Sequence, residues 1–586
     1  MESKLEFAIS FPEELYSRPL DGRILLMISD DDSDEPRFQI SRDLNTQLIL
    51  GIDINGLQPG EQALFDENIL GYPLKSIAEI PPGKYWVQAL LHVYDTFHRG
   101  DGHVVKLPMD RGEGQNWQVA PGNLFSTPKE MNVDPRKNET IEILLDNKIP
   151  PFPERHDTKY IKHIKMQSKL LSEFWGRPWF IEAIILLPEG FDENPDMHYP
   201  LVIYHGHHHR MFYAPVQFRE TPPDPVLKES RPIQGSYYPG YDITEQEYAY
   251  RFYNDWTDPD YPRYILVTIQ HPTPYFDDSY AVNSQNTGPY GDAITYELLP
   301  YIEKKFRGIG KGWARVLTGG STGGWEALAA QIFYPDEYNG CWAWCPDPVD
   351  FRAFTTCNIY EDENAFFYNS KWKKRTPKPQ RRTTNGHIVF TLQEVSQMEH
   401  VIGTKGRSGG EPNNWLTVFC PVGEDGYPKL LWDKLTGEID RSVAEYMREN
   451  YDLRYILERD WKKLGLKLKG KINIYMGDMD NLYYTISGYL MQEFLESTFD
   501  PYYEGHFEWG DRFGHCWNGD HVNEYAHSRL TVNQRYIGVM MKRIVDSAPP
   551  DADTSWKGNW PKPPKVDISE WRSRKIPGWH ADKDKR

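Results

Sequence analysis

A serine held between paired glycines, Gly319-Gly320-Ser321-Thr322-Gly323-Gly324, is the first place in this 586-residue chain where residue type and spacing suggest chemistry. The short apolar run 314–318 before it reads as a strand. The run 325–334 after it reads as a helix stopped by Pro335. A G-x-S-x-G pentapeptide between a strand and a helix makes a tight, strained turn that projects the serine above the sheet, and the residues flanking it must be small. The competing reading is a glycine-rich loop that only turns the chain.

A serine hydroxyl is a weak nucleophile and needs an adjacent base held by a third group. With this kind of turn the chain order is serine, acid, histidine. A late strand over 471–477 ends in Asp478-Met479-Asp480-Asn481. Asp480, beyond the turn, is the expected acid and Asp478 the alternative. Four candidate histidines lie close together after it: His506, His515, His521 and His527. His515, within Arg512-Phe513-Gly514-His515-Cys516-Trp517, has a glycine that lets its loop bend back over the sheet, and one helix fits between it and Asp480. It is the expected base, with His521 as runner-up. An oxyanion needs backbone N–H donors. Thr322, directly after the serine, should supply one. The second is placed at His207, or at Gly206, in the loop His205-Gly206-His207-His208-His209 that follows a buried strand. Neutral imidazoles also bind zinc readily, but no carboxylate spacing accompanies the cluster. The histidines are expected to line the pocket or bond nearby backbone, His208 among the substrate contacts, with no metal and no cofactor required.

The elements that must position these residues fall into two patterns. Up to about residue 150, short β-type runs over 5–10, 22–29, 46–53, 85–93 and 140–144 alternate with turn signals such as Pro81-Pro82-Gly83, which predicts an N-terminal sandwich-like, Ig-like domain. Pro150-Pro151-Phe152-Pro153 marks a boundary. Beyond it, apolar strands over 180–187, 201–204, 264–269, 316–318, 340–344 and 472–476 alternate with helices such as 292–306. This is an α/β pattern: a mostly parallel sheet flanked by helices, in a catalytic domain over 160–547. The sheet pattern lapses over about 350–465, where a cap could supply Trp415, Tyr427 and Trp432 to a substrate; a peripheral helical insertion is the other reading. Trp325, just after the elbow, is a further candidate contact. The tail, 548–586, carries Trp556, Trp560, Trp571 and Trp579 and is expected to be an extended arm.

Composition excludes several classes. With a net charge of −19 and no basic block, nucleic acid and anionic membrane are poor partners. No apolar run reaches the length of a membrane span. Hydrophobic content of 39% and charged content of 26% describe a globular chain. The opening Met1 to Phe7 lacks a basic end followed by an apolar core, so the protein is expected in the cytoplasm as the chain stands, or in the periplasm or outside the cell if a leader was removed. Cys341 and Cys345, four apart in one strand, would sit roughly 13 Å from each other, too far to bridge. Asn138-Glu139-Thr140 is a lone glycosylation sequon.

Taken together, Tyr204-His205-Gly206 after a strand, G-P-Y-G-D-A-I-T over 288–295, G-G-S-T-G-G over 319–324, G-D-M-D over 477–480 and G-H-C-W over 514–517 resemble the putative-esterase branch of the α/β-hydrolase superfamily. That branch includes esterase D-like, feruloyl esterase-like and enterochelin esterase-like proteins. The resemblance spans about 160–545 and implies ester hydrolysis through an acyl-enzyme, with Ser321, Asp480 and His515 as triad. Some feruloyl and tannin esterases join cysteines beside the serine and the histidine by a disulfide; here Cys516 follows His515, but Gly320 precedes Ser321, so that bridge is absent. Several enterochelin esterase-like members carry an N-terminal β domain. The expected substrate is a small-molecule ester, with the aromatic content (14%) pointing toward aromatic or sugar-linked groups. Peptide or amide hydrolysis by the same triad, and a non-catalytic carbohydrate-binding protein on the same fold, are the alternatives.

Overall fold

The structure is a computed structural model that describes residues 5–208, 218–224, 241–372, 375–521 and 532–558, with backbone only for 241–244 and 533. His209, His527, Trp560, Trp571 and Trp579 lie outside the described residues.

Eight strands form the sheet that carries the site: β1 (Ile161–Ser168), β2 (Trp179–Leu186), β3 (Leu201–His205), β4 (Ile265–Gln270), β5 (Arg315–Gly320), β6 (Cys341–Trp344), β7 (Ile472–Gly477) and β8 (His506–Gly510). Their order across the sheet is β1-β2-β4-β3-β5-β6-β7-β8. β2 runs antiparallel to both its neighbours, and every later pair is parallel. This is the α/β-hydrolase type of sheet. β4 is fully buried and β3 nearly so, which explains why they read as unbroken apolar runs rather than alternating ones. Two strands went unread: β1, whose polar Lys162, His163, Lys165 and Gln167 suit a sheet edge, and β8, whose side chains are mostly half-exposed at the other edge. The helical run expected from residue 292 begins two residues earlier and continues through a π-helical segment, Ala293–Leu298, to Phe306.

Residues 5–148 form two further sheets, one of three strands and one of eight. The first strand of the chain, Leu5–Ser10, pairs in parallel with Glu139–Leu144. Phe7, Ile9 and Phe65 of the small sheet and Ile24, Leu26, Leu50 and Leu91 of the large one share a single apolar core. The other face of the large sheet meets the stretch between β6 and β7. Leu25, Met27, Ile49, Leu90 and Trp117 pack with Met398, Val401 and Ile402 of helix Leu392–Ile402. Arg23 completes the junction: its Nε donates to the Val401 carbonyl at 2.8 Å and its guanidinium pairs with Asp53, which also binds Arg407 at 2.7 Å. The stretch between β6 and β7 carries the α-helices Leu392–Ile402, Glu411–Phe419, Arg441–Tyr451 and Leu453–Leu468 and a small hairpin of Pro379–Arg382 and Ile388–Thr391, joined by irregular segments. Among the described residues, no helix is long and apolar enough to cross a membrane.

Candidate functional site

Helix α1 (Thr322–Phe333) starts one residue after β5 ends, and Ser321 occupies the corner with φ 57° and ψ −125°. A non-glycine residue rarely adopts this conformation, and it costs of order 1–3 kcal/mol unless the surroundings enforce it. Two close approaches do so. A Cβ on Gly319 would lie 2.3 Å from the Gly323 carbonyl oxygen, and one on Gly323 would lie 2.1 Å from that of His205. The Ser321 N–H is tied to the Trp344 carbonyl at 3.0 Å. Glycines are therefore needed because β3, β5, β6 and the start of α1 converge on one point.

Ser321 Oγ lies 2.7 Å from His515 Nε2, and His515 Nδ1 lies 2.7 Å from Asp480 Oδ2. Asp480 is fully buried, and its Oδ1 accepts the backbone N–H groups of Leu482 at 2.8 Å and Tyr484 at 3.4 Å. Its neighbour Asn481 accepts the His515 backbone N–H at 2.9 Å, fixing the histidine loop against the loop of the acid. Burial presses the His515 imidazole toward its neutral form, but the Cys516 sulfur and the Asp480 carboxylate outweigh it and hold its pKa well above the usual histidine value. The two alternatives stand elsewhere. Asp478 accepts the Arg512 N–H at 2.6 Å, and His521 is half-exposed and bound to Glu508.

Thr322 is the first residue of α1, so its N–H has no acceptor within the helix. The loop after β3 packs on this corner: Gly206, with φ 142°, lies beside Gly323. The His207 imidazole is clamped by Asp277 at 3.0 Å and Asp278 at 2.9 Å. Burial disfavours its charge, yet the two carboxylates keep it protonated well above the ordinary range. His208 is buried, its ring 5.4 Å from that of Tyr204. The tryptophans singled out as substrate contacts are core residues. Trp325 is fully buried between Tyr280 and Phe419, Trp415 lies against Phe354 and Tyr484, and Trp432 packs on Phe354 and donates to Ser396. Tyr427 is almost fully buried where the N-terminal sheets meet the stretch after β6, its hydroxyl accepting the Lys106 N–H at 2.8 Å.

Carboxylates do accompany the histidines, although no spacing in the sequence announced them. His205 Nδ1 lies 3.5 Å from Glu326, and His271 Nε2 lies 3.7 Å from the same side chain; all three residues are buried. Burial drives both imidazoles down to about 3, so both are neutral at physiological pH. The Ser279 N–H donates to His271 Nδ1 at 3.0 Å, which leaves the ring proton on Nε2, facing Glu326. A metal there would need a lone pair at Nε2, so this set does not fit one. Cys345 and Cys516 lie with His515 in a third group whose ligating atoms are within 4.8 Å of one another.

The residues that sequence reasoning missed lie beside the nucleophile and Thr322. Asp347, three residues past β6, places Oδ1 3.4 Å from Ser321 Oγ, while its Oδ2 accepts from Tyr280 at 2.7 Å and from Thr322 Oγ1 at 3.0 Å. Glu411, the first residue of helix Glu411–Phe419, accepts from the same Thr322 hydroxyl at 3.2 Å. A carboxylate soon after a strand neighbouring the elbow was the only signal available; its distance of 26 residues from the serine carried none.

Residues 262–424, which hold the elbow, match the family model described as Putative esterase. The matched segment is similar to the esterases that this model describes. The esterase domain makes the protein a carboxylic ester hydrolase by class. A search of the curated proteins finds no match. Among solved structures, a ferulic acid esterase is 14% identical, covering 66% of this chain and 98% of its own, with a TM-score of 0.32. An S-formylglutathione hydrolase from Agrobacterium tumefaciens is 12% identical with the same coverage and a TM-score of 0.32. A CE1 ferulic acid esterase from Anaeromyces mucronatus is 13% identical, covering 62% of this chain and 88% of its own, with a TM-score of 0.25.

Proposed function

We propose that the protein cleaves small-molecule carboxylic esters through an acyl-enzyme formed on Ser321. His515 Nε2 takes the hydroxyl proton as Ser321 Oγ bonds to the carbonyl carbon, and Asp480 stabilises the resulting imidazolium. The backbone N–H groups of Thr322 and of His207 or Gly206 receive the oxyanion. The tetrahedral intermediate expels the alcohol, which leaves with the proton from His515. Water then attacks the acyl-enzyme by the reverse proton traffic and releases the acid. The observation that carries this reading is the pair of 2.7 Å contacts that join Ser321, His515 and Asp480 at a strained corner.

In the same reading, the N-terminal sheets are an Ig-like sandwich that braces the stretch after β6, and that stretch is a cap. Glu411, which contacts Thr322 from it, supports a cap that reaches the site. Hydrolysis of a p-nitrophenyl ester series from C2 to C12 by wild type and Ser321→Ala tests the proposal: activity should vanish in the variant. Activity that survives Ser321→Ala would overturn it. Matched ester and anilide substrates separate esterase from amidase, and labelling of Ser321 by a fluorophosphonate separates either from a binding protein.

A further inference from the structure

The nucleophile stands between a base and an acid that the triad does not use. Asp347 is 2% exposed, yet its Oδ1 lies 3.4 Å from Ser321 Oγ, which also contacts His515 Nε2 at 2.7 Å. The hydrogens available to it are few. The Ser321 hydroxyl has one, which His515 also takes. The Thr322 hydroxyl has one, and it faces both Asp347 Oδ2 at 3.0 Å and Glu411 Oε1 at 3.2 Å. Only the Tyr280 hydroxyl is committed to Asp347 at short range. Among the described residues, no lysine or arginine pairs with Asp347 or Glu411, whereas other buried carboxylates have such partners: Glu303 binds Arg315, and Glu399 binds Lys434. An ionised carboxylate here would also repel the oxyanion that forms on the same carbon Ser321 attacks. A positive charge arriving with the substrate would offset that repulsion and supply the counter-charge that Asp347 lacks among lysines and arginines.

We infer that Asp347 sets the charge preference of the site, favouring esters that carry a fixed cation near the scissile carbonyl over uncharged isosteres. The inference rests on Ser321 as nucleophile and adds the class of substrate. The titratable groups around Asp347 are Tyr280 from the loop after β4, Glu411 from helix Glu411–Phe419, His515, His207, Glu326 on α1 and Tyr484. Burial and the Glu411 carboxylate push Asp347 up to about 7, while Tyr280, His515 and His207 oppose them. The preference should therefore be weak at pH 6, where Asp347 is mostly neutral, and grow as the pH rises to 8.

The test uses two phosphonates with a p-nitrophenolate leaving group, one bearing a trimethylammonium-ethyl substituent and the other its 3,3-dimethylbutyl isostere. Ser321 Oγ bonds to phosphorus, p-nitrophenolate departs, and the hydroxyl proton passes to His515. The label therefore reports the nucleophile whatever acyl group the site prefers, and the quaternary charge does not titrate. The cationic probe should label wild type about tenfold faster at pH 8, with a smaller ratio at pH 6. In Asp347→Asn the ratio should fall to about one at both pH values, because loss of a fixed carboxylate changes His515 equally for both probes. Glu411→Gln, at a partly exposed position, should reduce the ratio in part, and together with the wild-type pH dependence it keeps the test decisive if Asp347→Asn does not fold. Equal labelling of wild type by the two probes at pH 8, or a ratio unchanged in Asp347→Asn, would overturn the inference and leave the esterase reading standing. Failure of both probes to label Ser321 would overturn this inference and the esterase reading together.

Discussion

Replacing Asp480 by asparagine is the sharpest perturbation of the proposed triad, because the surroundings of this residue dictate how the amide must sit. Asp480 Oδ1 receives the N–H groups of Leu482 and Tyr484, so an amide nitrogen cannot take its place. The asparagine oxygen must occupy that position and the NH2 must face His515 Nδ1, where Oδ2 now lies at 2.7 Å. A donor there turns Nδ1 into an acceptor and places the ring proton on Nε2, pointing at Ser321. The base is then already protonated on the side from which it must act. The attraction lost between carboxylate and imidazolium, about 4 Å between charge centres at an effective dielectric of about 20, is about 4 kcal/mol, or about a thousandfold in rate. Tautomer inversion adds to it, so kcat for a p-nitrophenyl ester should fall about 10³ to 10⁴-fold with the fold intact. The residual activity should extend to lower pH, since removing the anion that raises His515 lets its imidazolium lose its proton sooner. Rates measured from pH 5 to 9 decide the matter. Asp480→Asn within tenfold of wild type, or Asp478→Asn more damaging than Asp480→Asn, would refute the reasoning.

Three other substitutions probe the supporting structure. Ser321→Gly should unfold at a temperature about 1 °C above Ser321→Ala, both inactive, because glycine relieves the strained corner by about 1 kcal/mol; differential scanning calorimetry with equal values, or alanine the higher, would speak against stored strain. Gly323→Ala should cost about 1–3 kcal/mol and lower kcat more than tenfold, since its Cβ would displace the His205 carbonyl and the loop carrying Gly206 and His207; denaturant midpoints and kinetics on one preparation check both effects. Asp53→Asn should lose about 1–2 kcal/mol at pH 7, where Arg23 and Arg407 are left without their shared anion. Those arginines hold the Asp53 pKa below the ordinary carboxylate value despite burial. The advantage of wild type over Asp53→Asn is therefore full above about pH 4 and should vanish as pH falls through the lower folded value, which urea titrations at pH 7 and pH 2.5 would show.

The parts of this protein legible in its sequence are those whose physics is local. Gly319, Gly323 and Pro335 mark the elbow because a sharp turn and a helix stop are properties of a few adjacent residues. The strands 201–204 and 264–269 declare themselves by nearly complete burial. Asp480 and His515 could be placed because the order of elements limits where a loop can return to the serine. What escaped depends on packing between distant segments. Trp325, Trp415 and Trp432 look the same as pocket or as core until their neighbours Tyr280, Phe354 and Phe419 are known. Asp347 and Glu411 meet at Thr322 only because the sheet order sets β6 beside β5 and the long stretch after β6 folds back over it. Arg23 finds the Val401 carbonyl across 378 residues of chain, a pairing to which no periodicity points.

The order in which this chain is made imposes a wait. The N-terminal sheets have all their strands by Lys148, but the helix that covers one face of them, Leu392–Ile402, is synthesised about 240 residues later, some 10–50 s at ribosomal rates. Throughout that interval Leu25, Met27, Ile49, Leu90 and Trp117 present an uncovered apolar surface on the nascent chain. Holdase chaperones should bind there while the ribosome reads on toward Met398, and slower translation of that stretch should raise the yield of aggregate rather than of folded protein.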